Sequence, residues 1–400
     1  MSSIPRQMLV LTRASLASLP RRTAISLSMV LSVALVVAVL IGFLSMAAGL
    51  RQTLGAGGSP DVAIVLGGGG GTQEVGSSIP PEAARSLDSA GTSARIADDP
   101  AGRLLLSREI LVPVEARGAD GTSRMIALRG METAGPALRV SASIREGHIF
   151  VPGSREIMVG ARLARDLGGL APGQAIRLGP VDWTVAGILS ADGGIAESEI
   201  WADLDAVRSS FDRVGEIQTL RVRLIGPDGI AKLQASLPTV ATTPLTAVSE
   251  ADFLAGQSAR TERLVTLFGW PIALLMAVGA TAGALNTMMS SVSDRSVEIA
   301  TLRVLGFSRV AAFTATFTEA ALLSLAGGVL GAVASWAILD GWQASTLGAN
   351  DTQLGFQLSV TLVTMFQAGA LALAVGCIGG TLPAFAATRL PLVSALRDIG

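Results

Sequence analysis

Hydrophobic residues in this chain concentrate in four long stretches free of charge, and between the first two lies a segment where short apolar runs alternate with polar turns. The stretches run from Ala24 to Leu50, Leu264 to Ser293, Val310 to Leu339, and about Leu354 to Thr388. A helix needs about 20 consecutive apolar residues to cross roughly 30 Å of hydrocarbon, so each can span a bilayer. The first exceeds a signal-peptide core of about 7–15 residues, and no small-residue cleavage site follows it, so it is read as an anchor. Pro271 in the second, and Gly379, Gly380 and Pro383 near the end of the fourth, are expected at kinks or points of close packing. The third holds one acid, Glu319. At a helix centre it would cost about 2.5–3.5 kcal/mol on insertion scales, so its carboxylate is expected to face protein rather than lipid.

Residues 51–262 follow a different pattern. Asp61–Leu66, Glu109–Ala116, Arg124–Arg129, Asp182–Leu189 and Gln218–Leu224 read as strands. In the last, Leu220, Val222 and Leu224 alternate with Thr219, Arg221 and Arg223 as a half-buried strand would. Pro81–Ser89, Ala161–Leu167, Ala231–Leu237 and Glu250–Arg260 read as helices. The expected fold class is therefore an α-helical membrane protein with four transmembrane helices plus a mixed α+β extracytoplasmic domain, in one lobe or two. The divisions are residues 1–50 (N-terminal segment and first span), 51–262 (the α+β domain) and 263–400, with the later spans at 263–291, 308–339 and 356–388.

Composition supports this reading. Half of the residues are hydrophobic and 15% are charged, against about 25% charged in ordinary soluble chains, and the mean hydropathy is +0.55. The net charge of −1 offers no basic face for nucleic acid. The single cysteine, Cys377, leaves no intrachain disulfide or cysteine-rich metal site. Arginine placement predicts topology, because positive residues near span ends stay cytoplasmic. Arg6, Arg13, Arg21 and Arg22 precede the first span, Arg295, Arg303 and Arg309 follow the second, and Arg389 and Arg397 follow the fourth. Both termini are thus expected in the cytoplasm, with residues 51–262 periplasmic or extracellular.

No stretch points to enzymatic chemistry. The glycines Gly67–Gly71 lack the lysine and hydroxyl of a P-loop and read as a loop. Glu197, Glu199, Asp203 and Asp205 around Trp201 read as a solvated acidic face. His148, the only histidine, has no partner that spacing identifies. There is no GxSxG elbow or HExxH pair.

The most informative segment joins the second and third stretches, residues 284–307. Asp294 can open a helical turn, Arg295 and Glu298 stand at i,i+3, and Gly306 is a left-handed stop. Val292, Ile299, Leu302 and Leu305 form an apolar stripe on a short amphipathic helix at residues 294–305. This is either a docking surface for a partner groove or a connector on the membrane surface.

The segment resembles that of the FtsX-like permeases of ABC transporters. Arg295, Glu298, Ile299, Leu302, Arg303 and Gly306 match the family's order of Arg, Glu-Ile, Leu-Arg and Gly. Residues 20–23 resemble the family's entry motif, and residues 387–391 with 395–397 its ending. Residues 159–164, Pro172-Gly173, residues 176–178 and 183–187 resemble a MacB-type periplasmic core. No ATPase motif accompanies them here.

The resemblance implies a permease of the bacterial inner membrane that binds no cofactor directly and draws on ATP through a separate ABC ATPase subunit. It implies a dimer of permease chains amid membrane lipid, with a possible periplasmic adaptor and transmission by mechanical movement. The work is export or efflux, regulation of a periplasmic partner such as a cell-wall hydrolase, or lipoprotein release. Asp294, Arg295, Glu298, Ile299, Leu302, Arg303 and Gly306 would form the helix that couples to the ATPase. Its charges are expected to set register and its apolar stripe to supply affinity, so replacing Leu302 or Glu298 should uncouple transport.

Overall fold

The computed structural model describes residues 4–19, 23–55, 57–68, 73–118, 121–241, 243–348 and 351–389. Along the chain come α1 (Ile4–Ser18), α2 (Thr23–Gly55), β1 (Val62–Gly67), α3 (Pro81–Ala90), β2 (Leu106–Arg117), β3 (Ser123–Met131), β4 (Ser143–Gly147) and β5 (Glu156–Gly160). Next are α4 (Ala161–Asp166), β6 (Ala175–Leu178), β7 (Val181–Ser190), β8 (Glu199–Asp203), α5 (Leu204–Ser210), β9 (Thr219–Arg223), α6 (Gly229–Val240) and β10 (Leu245–Ser249). The chain closes with α7 (Glu250–Asp294), α8 (Ser296–Val304), α9 (Arg309–Leu339), β11 (Gln343–Leu347), β12 (Gln353–Gln357) and α10 (Leu362–Arg389). The entry-motif residues 20–22, most of the glycine run after Gly68, and everything from Leu390 on lie outside the described residues.

Two units divide the chain: a helical one (residues 1–48, 263–342 and 358–400) and an α+β one (residues 49–262 and 343–357). Among the described residues, the helical unit holds four helices long and apolar enough to cross a membrane, at Ser26–Gly55, Arg263–Asp294, Arg309–Leu339 and Leu362–Arg389. Much of its interior is made of small and β-branched residues. Val33, Val36, Val37, Leu40 and Ile41 of α2 pack against Ala273, Ala277 and Ala280 of α7 and Ala368, Ala372 and Val375 of α10. In lipid, helices gain little from burying apolar surface against each other, so close backbone approach has to supply the attraction. Gly327 and Gly331 of α9 allow it, since a Cβ there would lie 2.6 Å from the Val30 carbonyl oxygen and 2.5 Å from that of Ala34. Gly380 of α10 likewise lies where a Cβ would meet the Ala320 Cβ at 2.5 Å, in keeping with its expected close-packing role.

The fourth helix starts at Leu362, later than the apolar run suggests. Leu354 and Phe356 are apolar because they are buried in the α+β unit, where β11 and β12 pair as an antiparallel hairpin. Gly355 of the hairpin donates its N–H to Ser198 Oγ at 3.2 Å, and its carbonyl accepts from Arg162.

The α+β unit is built on one ten-stranded mixed sheet, ordered β10-β1-β9-β2-β3-β8-β5-β7-β4 with β6 on β7. Among the described residues it has two larger hydrophobic cores beside a smaller cluster around Trp201. One gathers β1, β9 and β10 with α3 and α6, and the other gathers β2, β3, β5, β7 and β8 with α4 and α5. Side chains alternate across a strand, so Ile110, Leu128, Ile200 and Leu220 on the central strands enter these cores. Their neighbours Glu109, Arg129, Glu199 and Arg221 carry the opposite face.

That opposite face is buried as well, correcting both the half-buried reading of β9 and the solvated reading of the acids around Trp201. Arg129 reaches Glu74 and Glu199 at 2.8 Å and Glu109 at 3.2 Å, and Arg139 reaches Glu109 at 2.7 Å. Arg221 lies 3.6 Å from Glu109 and pairs with Glu250, the first residue of α7. Burial pushes the Glu109 carboxyl up, but the guanidinium groups of Arg139, Arg221 and Arg129 outweigh it and bring its pKa down to about 2. Glu197 accepts N–H bonds from Ala191 and Gly193, both 3.1 Å, and Asp203 caps α5 through the Ala206 N–H. Of the four acids, Asp205 alone keeps an exposed side chain. Buried charges persist only when each has partners of good geometry, and here they form a continuous paired row across β9, β2, β3 and β8.

Candidate functional site

The segment between α7 and α9 is an elbow made of one short helix with a sharp turn at each end. α8 has nine residues, with Glu298 in its first turn and Arg303 in its last, matching the sign of the helix dipole at both ends. Its end is a Schellman motif. The Phe307 N–H reaches the Leu302 carbonyl and the Gly306 N–H the Arg303 carbonyl, both at 3.1 Å, while Gly306 takes a φ of +98°. Phe307 and Leu302 belong to the same apolar cluster, the contact that usually accompanies this motif. Gly306 therefore acts as the expected stop. Ser308 then caps α9, its side chain accepting from the Ala311 N–H.

The structure separates the predicted residues into an inner and an outer set. Arg295, between α7 and α8, is turned inward and only 9% exposed. Its Nη1 donates to Glu319 Oε2 and to Ser15 Oγ, each at 2.9 Å, while Nη2 reaches the Ser15 carbonyl at 3.3 Å and also Ser18 Oγ. Ser15 Oγ donates in turn to Glu319. Glu319, 3% exposed, thus faces protein as expected, and its partner comes from the elbow. Glu298, the neighbour paired with Arg295 by spacing, stands 3.9 Å from it with its side chain 70% exposed.

Arg303 also points inward, its Nη1 donating to the Thr388 carbonyl in the last turn of α10 at 2.9 Å. Ile299 and Leu302 are half-buried in a cluster with Met8 and Leu11 of α1 and Ala311, Ala312 and Ala315 of α9. The expected apolar stripe is therefore divided. Val292, Ile299 and Leu302 pack into the protein, while Leu305 is 72% and Val304 60% exposed. The outer set is Asp294, Glu298, Thr301, Val304, Leu305 and Gly306, all exposed.

Sequence reasoning missed Ser15, Ser18 and the helix that carries them. One signal was present: a lone carboxylate in an apolar span requires a donor, and Arg295 lies near the mouth of that span. This arrangement fixes an amphipathic edge at the junction of two long apolar helices.

Comparison with known proteins agrees with this architecture. The family model for the MacB-like periplasmic core domain matches residues 26–240, and that for the FtsX-like permease C-terminal region matches residues 271–392. An uncharacterised ABC transporter permease of Bacillus subtilis, YvrN, is 35% identical over 117 residues, covering 29% of this chain and 26% of that protein. The macrolide export ATP-binding/permease protein MacB of Bordetella avium is 32% identical over 137 residues, 34% of this chain and 20% of that one. The matched stretches thus span only about a quarter and a fifth of these relatives. The solved periplasmic region of MacB from Actinobacillus actinomycetemcomitans aligns with a TM-score of 0.38 at 10% identity, covering 51% of this chain and 94% of that one. With one family model covering more than half of its length and a second covering the elbow and the helices around it, the chain belongs to the ABC transporter permeases of the MacB and FtsX type.

Proposed function

We propose that this chain is a permease subunit that couples ATP hydrolysis by a separate ATPase subunit to export, transmitting movement to its α+β domain. The observation that carries this reading is the exposed edge of α8. Val304 and Leu305 at its C-terminal end, Glu298 in its first turn and Asp294 just before it are all exposed, while its other side is packed against α1, α9 and the end of α10. A two-turn helix with an apolar tip and flanking carboxylates suits a groove in a partner protein. ATP would be bound by that partner, and no cofactor by this chain directly.

Orientation follows from the same place. α1 carries Arg6 and Arg13 and packs against the elbow, which carries Arg295, Arg303 and Arg309. This gathers positive charge on one side of the bilayer and supports a cytoplasmic elbow and cytoplasmic termini in a bacterial inner membrane. The α+β domain then lies outside. The task proposed is export, the activity in the name of the MacB relative, carried out by a dimer of permease chains with a periplasmic adaptor. Purification of the complex from its native membrane in mild detergent, with identification of every subunit, tests the proposal. A co-purifying chain with P-loop motifs is expected, and vectorial transport by the permease alone would overturn it.

A further inference from the structure

We propose that α1 is the positioning element of the coupling helix, holding both corners of the elbow through Ser15, Ser18 and Gln7 with Glu319 as the fixed counter-ion. The inference rests on α8 being the coupling helix and extends it to a helix that no family motif marks.

At the first corner, Arg295 has a non-helical backbone (φ −101°, ψ 7°) where α7 gives way to α8, so the direction of α8 depends on what holds this residue. Its guanidinium is shared among Glu319 of α9 and the two serines of α1. Ser18 Oγ donates to the Ser15 carbonyl at 2.7 Å, which ties the two serines together. At the second corner, Gln7 Oε1 accepts from the Ser308 N–H at 3.0 Å, the residue that caps α9. Between the corners, Met8 and Leu11 lie in the same cluster as Ile299 and Leu302. α1 thus contacts the elbow along its length, and α1, α9 and the corner between α7 and α8 meet on one carboxylate.

A buried guanidinium needs all of its partners. Removing the serine hydroxyls should therefore free the corner while leaving the spans assembled. Ser15, Ser18 and Gln7 are positioning residues, acting through Arg295 and Ser308 rather than on the ATPase itself.

The test uses the full chain with Cys377→Ser and spin labels on the exposed positions Arg13→Cys and Thr301→Cys, read by pulsed electron–electron resonance. One narrow distance peak is expected in this background. Ser15→Ala with Ser18→Ala should lose it, as should Glu319→Gln, whereas Ser15→Thr with Ser18→Thr, which keeps both hydroxyls, should retain it. In the intact complex the serine-to-alanine pair should still co-purify with the ATPase, because the exposed edge of α8 is untouched, but stimulation of ATP turnover should fall several-fold. An unchanged narrow peak in the serine-to-alanine pair would overturn the proposal. Since the distance is read without the ATPase, that outcome is distinct from failure of the coupling reading, which would appear as loss of co-purification in every background.

Discussion

Arg303 donates to the main-chain carbonyl of Thr388 across 2.9 Å, joining the last turn of α8 to the last turn of α10. The final carbonyls of a helix have no partner within it, and a guanidinium there both satisfies one and complements the helix dipole. Replacing Arg303 with Met should cost about 1.5–3 kcal/mol, the usual worth of a hydrogen bond to a charged group, read as earlier thermal unfolding in detergent. Association with the ATPase should persist, because Arg303 lies on the inner side of the elbow.

Leu302 and Leu305 stand three residues apart and should behave oppositely. Leu302→Ala empties part of the cluster beneath α8 and should cost about 2 kcal/mol of stability. Leu305, 72% exposed, should tolerate Glu within about 0.5 kcal/mol yet lose the ATPase on co-purification. A melting curve and a pull-down on each variant separate the two roles.

At Gly306 a Cβ would meet no atom within 4 Å, so the requirement for glycine is conformational alone. A φ of +98° should make Gly306→Val cost about 1–2 kcal/mol, with Gly306→Asn milder because Asn tolerates left-handed backbone. The order Gly, Asn, Val in unfolding temperature checks this.

Much of this architecture was legible in the chain, and its limits have physical causes. The spans could be read because hydrocarbon tolerates few charges, and α3, α4 and α6 because their apolar periodicity is local. The start of α10 was misplaced because Leu354 and Phe356 look the same whether they meet lipid or the interior of a folded domain. Arg129, Glu199 and Arg221 alternate with apolar neighbours as a wetted face would, and only the pairing of β9, β2, β3 and β8 reveals them as partners. Arg295 suggested Glu298 by spacing, yet its tight partners are Glu319, 24 residues away, and Ser15, 280 residues away.

The buried charges of the α+β domain should make its stability depend on pH in one direction. Glu109 has a folded pKa of about 2 against an ordinary 4.5, so its contribution is full above pH 4.5 and is lost as the pH falls towards 2. Near-UV circular dichroism of the full chain should show tertiary signal decaying across that window. Glu109→Gln should unfold at lower denaturant concentration at pH 7 and show a weaker acid dependence.

If a nucleotide-driven subunit grips the outer edge of α8, Leu305 should lie within reach of it. A photo-crosslinking amino acid at Leu305, compared with one at Arg177 in the α+β domain, tests it in native membranes. An adduct to the ATPase chain is expected from position 305 and none from position 177. Absence of that adduct at 305, or an equal yield at 177, would contradict it.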